Sequence, residues 1–162
     1  AGCGAETAAV ALRAAVLAAV AGAVPLTVHG DPGWGALLPE GVALAGPVDY
    51  RAALPGLYAG TGVSINVTSL LLPRGLTQRH FDVWAAGGCL ISDATPGLKL
   101  FPAELAAPIR FASPAAAARL AADLLARPEK RAGLTAAWRA HILAEHRYEQ
   151  RLGTLFARLT EG

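Results

Sequence analysis

The chain has no methionine, only two cysteines, and charged residues at 16% of its 162 positions. Each scarcity excludes something. Cys3 and Cys89 make neither a disulfide framework nor a metal-ligand set, so a reducing, cytoplasmic setting is the simpler expectation. Cys89 falls in an apolar run, where cysteine behaves as a small hydrophobe. Low charge combined with 54% hydrophobic residues excludes a disordered chain. A formal net charge of +2 with no clustered basic stripe leaves no nucleic-acid footprint. Aromatic residues are few at 6%, and much of the apolar fraction is alanine, so bulky core side chains are scarce. A chain that starts at Ala1 and lacks methionine is expected to be a piece of a longer protein.

The one long apolar stretch, Thr7 to Val24, is also short of what spanning a bilayer needs. Arg13 interrupts it, Gly22 and Pro25 break it, and alanine inserts weakly. A signal peptide would carry its positive charge ahead of the apolar run. A buried helix is the reading, with no integral membrane segment.

What is present alternates strand-like and helix-like segments, with no internal repeat and no low-complexity linker. Leu26–Gly30, Val42–Ala45, Val63–Thr68, Cys89–Ile91 and Ile109–Ala112 read as short strands. Ser113-Pro114 opens one helix, with Leu120, Leu124 and Leu125 facing the sheet. Arg127-Pro128 opens another, with Leu134, Trp138 and Ile142 on its buried stripe, and Tyr148 leads into a last one through Leu159. The seven basic residues scattered along these helices among glutamates read as solvated faces. Such alternation predicts an α/β, Rossmann-like doubly wound parallel sheet with helices on both faces and extra C-terminal helices. The whole chain, residues 1–162, is expected to be one domain. In such sheets ligands bind beyond the C-terminal strand ends. That edge gathers Gly30, Val48–Tyr50, Thr68–Gln78 and Asp93–Lys99. His29, at a strand end, reads more readily as a hydrogen-bonded structural residue, and Lys99 as an exposed lysine. Trp34 is placed to cover the same end of the sheet.

The densest stretch runs from Pro73 to Asp93 as loop, helix, glycine turn and buried strand. Thr77 is expected to cap the helix through its side chain. Phe81, Trp84 and Ala85 form its buried stripe, Gln78, Arg79 and Asp82 share another face, and Gly87-Gly88 stop it. A helix start flanked by arginines suits an anion such as phosphate. Two arginines and an aspartate are equally at home on a solvated, salt-bridged face.

Arg79, Phe81, Asp82 and Ala85-Ala-Gly-Gly88, followed by a buried strand, resemble the donor-binding half of GT-B glycosyltransferases, in particular the group 1 and CgeB-like branch. Gly46–Tyr50, Leu54–Tyr58 and Val63–Thr68 resemble that branch's approach to the site, and His146-Arg-Tyr-Glu-Gln-Arg151 its closing helix. Roughly residues 24 to 160 can be laid against it. The resemblance implies transfer of a glycosyl group from a nucleotide-sugar donor to an unknown acceptor. It implies that Arg74, Gly75, Thr77, Gln78 and Arg79 surround the diphosphate, that Asp82 meets ribose hydroxyls, and that Val48, Asp49 and Tyr50 meet the base. Asp49 alternatively just caps the helix that follows. No cofactor and no metal are implied, and the chain contains no Asp-x-Asp motif. The catalytic group is left unknown, because the missing N-terminal domain would carry the acceptor site.

Two departures from the pattern stand out. The site acid is aspartate where glutamate is usual, and Arg74 stands where the retaining branch has a second glutamate near the sugar. A non-catalytic partner- or nucleotide-binding domain that keeps the fold is therefore the alternative. A receiver domain is disfavoured by Asn66 at the central strand end, and a dinucleotide-binding oxidoreductase by the lack of a Gly-x-Gly-x-x-Gly turn.

Overall fold

A computed structural model describes residues 2–160, with the side chains of Cys3, Ala5, Arg151, Thr154, Leu155, Arg158 and Thr160 outside the described part. The alanine-rich stretch forms α1 (Gly2–Ala21). Then come β1 (Thr27–His29), β2 (Ala43–Ala45), α2 (Leu54–Gly60) and β3 (Ser64–Asn66). The central unit follows as α3 (Arg79–Ala85) and β4 (Leu90–Asp93), then α4 (Ala103–Ala106) and β5 (Arg110–Phe111). Three longer helices close the chain: α5 (Pro114–Ala126), α6 (Pro128–Glu145) and α7 (Tyr148–Thr160). This is the α/β, Rossmann-like arrangement that the alternation predicts.

Every strand pairing is parallel, in the orders β1-β2 and β3-β4-β5. Ile65 pairs with Ile91 and Asn66 with Ser92, so the last residues of β3 and β4 lie side by side. Parallel strands of this kind are covered on both faces, which is why Leu90, Ile91 and Ser92 are all buried. Helix α3 packs on β3 and β4, α5 on β4 and β5, α1 along α5, and α6 against α3.

Small side chains let these helices approach closely. The buried face of α5 is Ala117, Ala121 and Leu124, while Leu120 and Leu125 are only half-buried. Ser113 caps α5 as its sequence suggests, with its side chain accepting from the Ala116 N–H at 3.2 Å. Bulk enters mainly from aromatics. Trp84 and Trp138 stack with centroids 4.9 Å apart, and Phe101 meets Trp138 edge-on at 4.8 Å. Trp138 and Ile142 are buried on α6, as the spacing predicts.

Two glycines fix the turn between α3 and β4. Gly87 takes φ +83°, where a side chain would be strained. At Gly88 an added Cβ would lie 2.4 Å from the Tyr58 carbonyl oxygen, so the end of α2 rests directly on this turn.

Two expectations need correcting. The buried face of α3 is His80, Val83 and Trp84, with Phe81 and Ala85 only half-buried. The apolar spacing missed His80 because its ring is buried through hydrogen bonds, not hydrophobicity. Thr77 does not cap α3 through its side chain: Gln78 is the capping residue, without a side-chain bond, and the Thr77 hydroxyl turns to Asn66 instead. On the C-terminal helices Arg127, Lys130 and Arg139 are exposed, as the solvated-face reading expects. Arg127 and Lys130 both pair with Asp123, while Arg131 donates to the Leu124 carbonyl and Arg139 to the Ala85 carbonyl.

Candidate functional site

Between β1 and β3 lies a cleft of about 860 Å³, open at the C-terminal strand ends. Its walls include Trp34, His29 and Ser69, and five of the residues singled out from sequence: Tyr50, Thr77, Gln78, Arg79 and Asp82. Val48, Asp49, Arg74 and Gly75 do not line it. Asp49 is committed locally, its carboxylate accepting from the N–H groups of Arg51 at 3.0 Å and Ala52 at 2.5 Å. This is the capping alternative, although the turn it closes precedes α2. Arg74 is exposed on the loop after β3. Gly75 serves as a joint: its carbonyl accepts from the Thr95 hydroxyl at 3.1 Å, and its backbone lies so near Gly97 that a Cβ there would meet it at 3.0 Å. The loops after β3 and β4 are thereby fastened together.

One contact joins segments far apart in sequence. The Tyr50 hydroxyl donates to Asp82 Oδ2 at 2.6 Å. The bond to the carboxylate, with its negative charge, pushes the Tyr50 phenol above its ordinary range. Arg79 is exposed, and its guanidinium donates to Asn66 Oδ1 at 3.3 Å.

Beneath these residues is a buried polar network. Asn66 and Ser92 are fully buried and His80 is 1% exposed. His80 Nδ1 lies 3.1 Å from the Thr77 backbone nitrogen and 3.3 Å from the Thr77 carbonyl oxygen, and Nε2 faces Ser92 Oγ at 2.9 Å. Ser92 Oγ lies 3.4 Å from both Asn66 Nδ2 and Asp93 Oδ1. Asp93 Oδ1 also accepts from the Thr68 N–H at 2.8 Å and hydroxyl at 2.9 Å. Nearly every buried donor here meets an acceptor, which makes such a network rigid.

The family model described as glycosyl transferase-like matches residues 11–157. The chain belongs to that family. Glycosyl transfer, with a sugar donor and an acceptor, is thus its general chemistry. No curated protein and no solved structure matches the chain. The matched span of the glycosyl transferase-like domain includes both walls of the cleft. His146 of the closing motif packs its ring on Phe81 at 5.6 Å and Phe101 at 5.3 Å, tying α6 to α3. Tyr148 is exposed and the Arg151 side chain lies outside the described residues. Among the described residues, no group of three or more His, Cys, Asp or Glu is placed to hold a metal ion, and no helix is long and apolar enough to cross a membrane.

Sequence reading missed Asn66, His80 and Ser92 as parts of this site. The available signal was a polar residue closing each of two adjacent apolar strands.

A second hollow of about 660 Å³, at the other end of the sheet, is walled by Arg131, Thr135 and Arg139, with Cys89 lining it too. Both arginines hydrogen-bond the last carbonyls of helices, Leu124 in α5 and Ala85 in α3. Burial pushes the Cys89 thiol up to about 11, so it is not a nucleophile at neutral pH.

His80 makes the fold sensitive to acid. Burial lowers its proton affinity below the ordinary value, the nearby Arg79 adds to this, and the Thr77 backbone and Asp93 oppose it. The unfolded chain, with a histidine near 6.5, therefore takes up the proton first as pH falls. The stability that neutral His80 contributes is complete above about pH 6.5 and drains away below it. The urea midpoint should fall between pH 7.5 and 5.5, and His80→Gln should flatten that fall. Parallel curves for the two proteins would show that this ring does not carry the dependence.

Proposed function

We propose that the chain is the donor-binding half of a GT-B glycosyltransferase of the group 1, CgeB-like branch, working on a nucleotide-sugar in the cytoplasm. The observation that supports this most is the Tyr50–Asp82 hydrogen bond at the cleft mouth. It brings together, across 32 residues, the two segments that the resemblance assigns to base and ribose, beside the arginine that it assigns to phosphate.

On this reading Asp82 accepts from ribose hydroxyls, the ring of Tyr50 flanks the base, and Gln78 and Arg79 meet the diphosphate. Helix α3 has only seven residues, so the charge of Arg79 matters more than the helix dipole. Transfer breaks the bond from the sugar's anomeric carbon to the diphosphate oxygen and forms one to the acceptor oxygen. The nucleoside diphosphate leaves with the electron pair, and the acceptor's proton passes to a base. Arg79 stabilises the charge that develops on the leaving group. Acceptor and base belong to a second domain of the longer protein, so this chain alone binds donor and turns nothing over. No metal is required.

The test is calorimetric titration of the chain with UDP, GDP and dTDP. One diphosphate should bind, and Arg79→Ala should weaken it. If none of the three binds at millimolar concentration, alone or in the longer protein, the reading fails.

A further inference from the structure

Thr77 and Arg79, which flank the start of α3 on the cleft wall, share one buried anchor. Asn66 closes β3 and is fully buried. Its Oδ1 accepts from the Thr77 hydroxyl at 3.0 Å and from Arg79 Nη1 at 3.3 Å. Its Nδ2 lies 3.4 Å from Ser92 Oγ, and Ser92 is held in turn by His80 Nε2 at 2.9 Å. A side-chain amide offers an acceptor and a donor on two separate atoms of one short stem, so it can serve two neighbours at once. A leucine here would fill the space equally well, yet it would leave the Thr77 hydroxyl, Arg79 and Ser92 without this partner. A fully buried amide is costly unless it is satisfied, so its presence at the end of β3 points to work done on its neighbours.

We infer that Asn66 is a positioning residue, orienting the Arg79 guanidinium and the Thr77 turn toward the cleft before a ligand arrives. Arg79 is exposed, and a free arginine would sample many rotamers. Tethering one Nη to the sheet restricts that search and leaves the other guanidinium N–H groups for an anion. The cost of ordering the side chain is then met during folding and not on binding. Restraint of Arg79 is independent of which ligand enters; its effect on affinity rests on the proposed donor site.

Two measurements separate these. Nitrogen-15 relaxation of the arginine side chains, with no ligand present, should show Arg79 more restricted than the exposed Arg74. Asn66→Ala should release Arg79 to the mobility of Arg74, while Asn66→Asp, which keeps the acceptor oxygens, should hold it. A purely structural amide would not give that rescue. If Arg79 is already as mobile as Arg74 in the unaltered chain, the inference is overturned, and this comparison needs no variant to fold.

The second measurement uses the nucleoside diphosphate that binds in the calorimeter. Asn66→Ala should raise its Kd about tenfold. Arg79→Ala and the double variant should bind equally weakly, since Asn66 acts through Arg79. Additive losses would overturn the positioning role. A restricted Arg79 in a chain that binds no nucleotide would leave the positioning role standing and remove the donor site.

Discussion

Arg79→Ala should weaken nucleoside diphosphate binding by about thirtyfold while leaving the fold intact. A guanidinium facing a diphosphate makes charge-assisted hydrogen bonds, and losing those to a charged group costs about 2 kcal/mol, roughly a thirtyfold change in Kd. The folded chain should scarcely notice. Arg79 is exposed and has one long bond, 3.3 Å, to Asn66. Exposed substitutions of this kind change stability by about 0.5 kcal/mol or less. Calorimetric affinity and a urea melt together check both halves. Residual binding should also lose part of its salt dependence, because one cation has left the site. An unchanged Kd would remove Arg79 from the donor site, and a collapsed urea midpoint would mean that the residue is structural.

Trp138→Ala should cost about 4 kcal/mol of stability, the usual range for a fully buried tryptophan. Trp138 stacks on Trp84, takes the edge of Phe101, and donates from Nε1 to the Leu105 carbonyl at 3.0 Å. It thus fastens α6 to both α3 and the α4 turn. In a chain whose helix faces are so largely alanine, few other bulky groups can close over the cavity. The melting temperature should fall by about 12 °C, at about 3 °C per kcal/mol for this size. Trp138→Phe keeps much of the ring contact and should lose far less. A drop of only a few degrees in scanning calorimetry would show that α6 is not held to the core by this ring.

Much of this architecture is legible in the chain because its punctuation is strong. Ser113-Pro114 and Arg127-Pro128 start helices where they stand, and Gly87 stops one with a backbone angle that other residues avoid. The stripe of α6 follows from spacing alone, since Trp138 and Ile142 are simply apolar. Tyr50 and Asp82, 32 residues apart, meet where the loop after β2 reaches the first turn of α3. What hydrophobic spacing could not reveal was polar and buried. His80 lies on the covered face of α3 because Thr77 and Ser92 satisfy its two nitrogens. Thr77 looks like a helix cap in sequence, but Asn66, eleven positions earlier, offers its hydroxyl an acceptor that only the folded sheet supplies. Val48, Asp49, Arg74 and Gly75 carried the right chemistry, yet local turns and loop joints engage or orient them away from the cleft.

The bond between Tyr50 and Asp82 gives the acid at the cleft a partner from within the chain. That acid is already answered by a phenol, so an incoming sugar hydroxyl trades one hydrogen bond for another. Such an exchange adds little to overall affinity. On the proposed reading it softens the choice between ribose and deoxyribose: a donor lacking the matching hydroxyl leaves Tyr50 in place and strands no charge. The price of a mismatch is then a forgone gain, not an orphaned carboxylate. An acid with a resident understudy is built for tolerance, and the discrimination among donors falls to the base and the phosphates.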